Sequence, residues 1–343
     1  MKRKVGIFGG ISLLVAIAVF VVCLPAQSAE VKVIKLRFAN FIPASHNINL
    51  QSEQWCREVE KRTNGRVKVT HFSGGTLVSA PQVWDSTVKG ICDIGLSIQS
   101  YTPGRFPLSE VIDLPLGYTS ALQATRTANA FYKKFRPKEY NEAKILLLHA
   151  HAPGAFHTRK PIATLDEIKG MRIKASGTTG KIVQAFGGTP LTIPAPDTYD
   201  ALQKGLADGV LISNDALKGL RIGDHLHYTL FNPGVAYTAA FFIAMNKEKW
   251  ASMPPDIQKI IEQVSEESID KFGKAWDDTA KEAEDFVRQQ YQHKFTVATK
   301  AEAVKAHEKI KPLLAEYVQQ MKAKNLPGEE ALKFCLDYIQ THP

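Results

Sequence analysis

The sequence predicts an α/β protein of two lobes, braced by one long helix that runs along both. Three observations lead there. Short apolar, β-type runs alternate with stretches of helical spacing over the first two-thirds of the 343 residues, which is the signature of strands interleaved with helices. From Pro254 to Tyr291 apolar residues recur with a period near 3.6, giving a helix of roughly 50 Å, longer than one small domain is wide. No low-complexity tether separates the halves, so strands must cross between the lobes and act as the hinge.

The elements follow in order. Residues 33–41 read as a strand ending at Pro43, and 46–61 as a helix with Leu50, Trp55 and Val59 on one side. A strand over 66–72 is closed by Ser73-Gly74-Gly75. A short helix over 81–89 stops at Gly90, and a buried strand covers 91–98. The alternation resumes with a strand at 144–149. It continues at 172–175 leading into a helix over 178–186, at 191–193 leading into 198–205, and at 209–212. Residues 237–245 form a strongly apolar strand. Pro254-Pro255-Asp256 starts the long helix, because proline is tolerated in the first turn and an acid suits the N-terminal dipole. Its stripe runs through Ile257, Ile261, Val264, Phe272, Trp276, Ala280, Ala283, Val287 and Tyr291, and it drifts away from the strict heptad of a coiled coil.

The chain opens with a leader for export. Lys2, Arg3 and Lys4 precede an uncharged, mostly apolar run from Val5 to Leu24, then Pro25 and the small residues Ala26-Gln27-Ser28. Small residues just past such a run mark a signal-peptidase site, so a signal peptide over 1–29 and a periplasmic mature chain are expected. An apolar run of about 20 residues is also long enough for a membrane anchor; the cleavage site argues against one. Bulky Val22 before Cys23 argues against a lipoprotein.

The formal charge is +9, of which the leader supplies three. The remainder is thin and interleaved with acids, unlike the basic stripe with stacking aromatics that nucleic acid requires. It suits a small anionic ligand or plain solubility. Cys56, Cys92 and Cys335 are isolated, which fits buried small hydrophobes better than a zinc cage or a redox pair.

Several motifs look chemical and fail on detail. Gly177-Thr178-Thr179-Gly180-Lys181 has Ala175 where a phosphate loop needs its first glycine and Ile182 where it needs Ser or Thr. His149-x-His151 and His225-x-His227 share a strand face in pairs, but no carboxylate or cysteine cluster accompanies them. No nucleophile elbow, zinc-protease motif or Cys/His pairing is present. Catalysis, a cofactor and a metal are therefore not expected. An exported hydrolase or lyase using His151 or His157 as base is the weakest alternative.

An ordered set of segments resembles the extracytoplasmic solute receptors of tripartite ATP-independent periplasmic (TRAP) transporters, the DctP-type family. It begins with Leu36-Arg37-Phe38-Ala39-Asn40, Pro43 and His46, then Phe72-Ser73-Gly74-Gly75-Thr76-Leu77, Asp93-Ile94-Gly95 and Leu114-Pro115-Leu116. The most specific block runs from Lys160-Pro161-Ile162 through Leu165-Asp166-Glu167-Ile168-Lys169-Gly170-Met171-Arg172-Ile173. It continues into Gly187-Gly188-Thr189-Pro190, Thr198-Tyr199-Asp200-Ala201-Leu202-Gln203-Lys204-Gly205 and Asp208-Gly209.

The resemblance implies a two-lobed periplasmic-binding-protein fold, type II-like, with hinge strands and the long helix spanning both lobes. Residues 30–150 and 213–252 are assigned to the first lobe, and 151–212 and 253–343 to the second. It implies a receptor that closes on a small organic anion, a carboxylate such as a 2-oxo or aromatic acid, and delivers it to the membrane permease subunits. A monomer is expected. The alternatives are a sulfonate (isethionate-like) or C4-dicarboxylate receptor of the same type, or a receptor serving a sensor kinase or acting as a scavenger.

The family usually places an arginine after the Gly-Met-Arg-Ile stretch to grip the carboxylate, and here that position is Lys174. Lysine is a point charge without the planar fork, so the anion is held at one oxygen, is a sulfonate, or relies on other donors. Arg172, two residues away, is the substitute candidate, and Lys174 is preferred because it lies nearer the strand end. The second basic residue of some members would fall near Gly154-Ala155-Phe156, where this chain has none. Polar positions of some members around Leu211-Ile212 are apolar here. These departures shift the pocket toward an anion with an apolar or aromatic remainder. Further ligand contacts are expected from Phe41, Ser97, Gln99, Tyr101, Phe156, Asn214 and Tyr237.

Overall fold

A computed structural model describes Met1, Lys2 and residues 33–343. The expected signal peptide over 1–29 lies, beyond its first two positions, outside the described residues.

Eleven strands among the described residues form two sheets. In chain order they are β1 (Ile34–Asn40), β2 (Val67–Phe72), β3 (Ile94–Ile98), β4 (Ala143–Ala150), β5 (Ala155–Thr158) and β6 (Arg172–Lys174). They continue with β7 (Thr189–Leu191), β8 (Gly209–Ile212), β9 (Tyr228–Phe231), β10 (Ala240–Asn246) and β11 (Lys294–Val297). The first sheet has the order β2-β1-β3-β10-β4 and the second β11-β9-β5-β8-β6-β7. In the first sheet β1 pairs parallel with β2 and β3, whereas β10 is inserted antiparallel between β3 and β4. This is the two-lobed α/β architecture, with one strand of the first lobe supplied after the chain has returned from the second.

Sequence explains the burial of that returning strand. All seven residues of β10, Ala-Phe-Phe-Ile-Ala-Met-Asn, are buried, as expected for a continuous apolar run covered on both faces. Its two flanks join different cores. Phe241, Ile243 and Met245 pack with Leu36, Trp55 and Phe272, and Phe242 and Ala244 pack with Trp84, Phe106 and Phe131.

Two short segments carry the chain between the sheets, residues 151–154 after β4 and 232–239 after β9. They lie side by side. The Gly154 amide donates to the Tyr237 carbonyl (3.0 Å), and Thr238 Oγ1 donates to the His151 carbonyl (2.6 Å). Gly154 is needed for this approach, since a Cβ there would sit 2.2 Å from Tyr237 Cε1.

The long helix, Pro255–Tyr291, has 37 residues, about 55 Å at 1.5 Å per residue. Ile257, Ile261, Val264, Phe272, Trp276 and Ala280 pack into the first lobe. Ala283 and Val287 pack with Leu217, Ile222 and Leu226 of the second, so one helix braces both lobes.

The lobe boundaries differ from expectation at two places. Residues 213–231 do not return to the first lobe, because β9 bonds to β5 and β11 within the second sheet. At the other end, the helix Gly328–Thr341 folds back. Its Ala331, Cys335 and Ile339 pack with Ala124, Ala128 and Phe131 of the first lobe. Both differences turn on non-local partners that local patterning does not encode. Cys56, Cys92 and Cys335 are free and buried. No helix among the described residues is long and apolar enough to cross a membrane.

Candidate functional site

The sheets face each other across a cavity of about 760 Å³, within the usual range for a small-molecule site. Its walls come from strand ends and from the loops that follow them. Phe41 follows β1, Ile98 ends β3 and Tyr101 follows it, Lys174 ends β6, and Leu211 and Ile212 end β8 just before Ser213. Tyr237 and His151 come from the two crossing segments, and Trp276 comes from the long helix.

Lys174 is the chemical centre of this cavity. It is 4% exposed, and burial pushes its ammonium down to about 8. No carboxylate pairs with it among the described residues. Three other basic side chains lining the cavity, His46, Lys218 and Arg221, have acidic partners. His46 Nε2 meets Asp215 Oδ2 at 3.3 Å, Lys218 pairs with Glu282, and Arg221 meets Asp224 at 2.8 Å. A buried cation without a counter-ion is unfavourable unless a ligand supplies the anion.

Opposite the cation the surface is aromatic. Phe41 lies parallel to Phe241 (centroids 6.3 Å, 10°) and edge-on to Tyr101 (5.7 Å), while Trp276 is 5.0 Å from Phe241. The Trp276 indole is fixed from behind, its Nε1 donating to His149 Nδ1 at 2.9 Å. His149 is itself stacked between Phe241 and Phe272 (4.9 and 4.8 Å), and burial holds it neutral with a value of about 3.

Contacts also span the cleft. Besides His46–Asp215, the Ala195 amide donates to Tyr101 Oη at 2.8 Å, and burial raises that phenol to about 12. His46 also accepts from the Ile48 amide through Nδ1 (3.2 Å), capping the helix Asn47–Arg62. Asp113 reaches the cavity wall with Oδ1 accepting from the Ala240 amide (2.8 Å), and burial raises its carboxyl to about 8.

Of the expected contacts, Lys174, Phe41, Tyr101 and Tyr237 line the cavity. Four do not. Ser97 faces away from the neighbouring Ile98 and donates to the Ala80 carbonyl (2.9 Å), as strand alternation requires. Gln99 Nε2 donates to Tyr140 Oη (2.6 Å) inside the first lobe. Phe156 is core, packed with Ile162, Ile173 and Leu230. Asn214 Nδ2 donates to Glu284 Oε1 (2.5 Å) on the long helix. Arg172 is also removed from the cavity, its Nη2 engaged by exposed Asp208 at 2.8 Å.

Sequence reasoning missed His151, Asp215 and Trp276 as cavity residues. Their burial and convergence come from three distant segments. Only Trp276, the one tryptophan of the long helix, gave a local signal.

Residues 38–320 match the family described as bacterial extracellular solute-binding protein, family 7, DctP. The chain belongs to this family. It is 25% identical over 289 residues to the outer membrane transporter protein TsaT of Comamonas testosteroni, covering 82% of this chain and 84% of that one. A TRAP periplasmic solute binding protein from Desulfovibrio salexigens superposes with a TM-score of 0.80 at 33% identity, covering 90% of this chain and 96% of that one. A TRAP solute binding protein from Rhodoferax ferrireducens, in complex with copurified benzoate, gives 0.86 at 26% identity over 90% and 98%. This DctP-type chain is thus a TRAP solute receptor, a non-enzymatic transport protein of a periplasmic family. Its cavity lies between the lobes.

Proposed function

We propose that this receptor binds a small organic anion with one acidic group. Lys174 holds that group, and an apolar or aromatic remainder packs against Phe41, Tyr101, Tyr237, Phe241 and Trp276. The reading rests on Lys174 being buried at the cavity wall with no counter-ion among the described residues, while His46, Lys218 and Arg221 at the same cavity are already paired with acids. A charge-assisted bond to an anion excluded from water is strong, and one such cation suits one acidic group better than the two of a compact dicarboxylate. The benzoate that copurified with the Rhodoferax relative supports an aromatic monocarboxylate. A lysine, lacking the guanidinium fork, also accommodates a sulfonate, which belongs in the same screen.

Export through the leader, cleavage near Ala29, action as a monomer and delivery to TRAP permease subunits complete the proposal. Native mass spectrometry of freshly purified protein identifies a copurifying acid, and thermal-shift screening ranks its analogues. Stabilisation only by compact, doubly charged dicarboxylates contradicts the reading. So does a Lys174→Ala protein that binds the identified acid as tightly as wild type. N-terminal sequencing of the exported protein tests cleavage, and light scattering tests the monomer.

A further inference from the structure

His151 sits in the crossing segment that follows β4 and lines the cavity while being only 5% exposed. Its ring is oriented by two constraints. Nδ1 lies 2.6 Å from the Ala152 carbonyl, and a carbonyl can only accept, so the proton of that bond is on Nδ1. The aromatic faces of Tyr237, Phe241 and Trp276 surround the imidazole edge-on, at centroid distances of 5.6, 6.3 and 6.2 Å. Burial holds the ring below the ordinary histidine value, with Asp215 pulling it up and Lys174 pushing it down. Both charges therefore act on it, and the ring is neutral at pH 7. With Nδ1 protonated, Nε2 carries a lone pair, and no donor among the described residues satisfies it.

The carboxylates at the cavity wall already receive donors. Asp215 receives Ser213 Oγ on one oxygen and His46 on the other, and Asp113 Oδ1 receives the Ala240 amide. The cavity therefore presents a cation at Lys174 and an unpartnered, oriented acceptor at His151. A ligand that carried only an anionic group would leave that acceptor buried and unpaired, which is costly.

We infer that His151 Nε2 accepts a hydrogen bond from a hydroxyl of the ligand, so the receptor's substrates are hydroxy-substituted organic acids and not their deoxy analogues. This inference rests on the reading that the cavity holds an organic anion at Lys174.

The test uses matched acids that differ by one hydroxyl: mandelate against phenylacetate, 3-hydroxybenzoate against benzoate, and 3-hydroxybutyrate against butyrate. Calorimetric titration of the wild type is expected to give at least one pair in which the hydroxy acid binds roughly tenfold or more tightly, the size expected for losing a partner at a buried acceptor. In His151→Phe that ratio is expected to fall to about threefold or less, while the deoxy acid keeps its dependence on Lys174. A merely structural role for His151 would weaken both members of a pair together and leave the ratio unchanged, and that result overturns the inference. Equal binding of both members in every pair by the wild type overturns it without any variant, so a failure of His151→Phe to fold leaves it falsifiable. Acids that bind through Lys174 without discrimination sink the hydroxyl inference alone. No binding by any of the six sinks the anion reading as well.

Discussion

Replacing Lys174 with methionine should make the unliganded protein more stable and the receptor blind. Methionine keeps the length of the side chain and removes the ammonium. An ordinary lysine holds its proton to about pH 10.4, whereas burial pushes Lys174 down to about 8. At about 1.4 kcal/mol per tenfold change in proton affinity, keeping that ammonium charged in the folded protein costs roughly 3 kcal/mol. Between about pH 8 and 10.4 the unfolded chain binds more protons than the folded one, so this cost diminishes as pH rises through the window. Below about pH 8 it is present in full. Lys174→Met should therefore raise the apo melting temperature at pH 7 by about 5 °C, and the gain should vanish by about pH 10.5. Affinity should move the other way. Loss of one charge-assisted bond, worth about 1.5–3 kcal/mol, predicts on the order of a hundredfold weaker binding of the copurified acid. Differential scanning fluorimetry at both pH values and calorimetric titration at pH 7 read the two effects. A variant less stable than wild type at pH 7, or one that binds within threefold of it, refutes the reasoning.

Other changes separate the cavity from its surroundings. Arg172→Ala should leave affinity within twofold and cost under about 1 kcal/mol, because its exposed pair with Asp208 is screened by solvent; titration and urea denaturation check both. Gly154→Ala should cost about 1–3 kcal/mol and weaken binding, since its Cβ would fall 2.2 Å from Tyr237 Cε1 and displace a cavity wall; an unaltered melting temperature contradicts this. Acid should destabilise the fold through three buried histidines. His149, His157 and His293 are held neutral at about 3, 4 and 3, while the unfolded chain takes up protons below about pH 6.5. Stability is thus retained above about 6.5 and lost as pH falls toward 4, by up to about 4 kcal/mol per pH unit for three rings. A urea midpoint unchanged from pH 7 to pH 5 rules that out.

Periodicity made much of the scaffold legible. The strand at 209–212 coincides with Gly209–Ile212, and the stripe starting at Pro254 with the helix Pro255–Tyr291. These elements are continuous in sequence, and their apolar spacing reports their own burial. The short strands β5, β9 and β11 mix polar with apolar side chains and escaped detection, whereas the equally short Gly209–Ile212 has a continuous apolar run. Their place in the second sheet depends on partners far along the chain. The helices over Ala121–Phe135, Lys300–Ala323 and Gly328–Thr341 were also not foreseen, and the last of them crosses back to the first lobe.

What the sequence by itself determined was the class of molecule: an α/β chain with a long bracing helix and the ordered motifs of a DctP-type receptor, with Lys174 where the resemblance implies an arginine. Residue type and order suffice for those statements. Tertiary structure alone decided which side chains reach the ligand space. Ser97 and Ile98 are adjacent yet face opposite ways, and Gln99 and Asn214 are consumed by Tyr140 and Glu284. It also brought His46, His151, Asp215 and Trp276 from four separate segments to Lys174. The reason is physical: a strand's pleat and a helix's turn fix orientation locally, but convergence on one cavity is set by how two sheets and one helix pack.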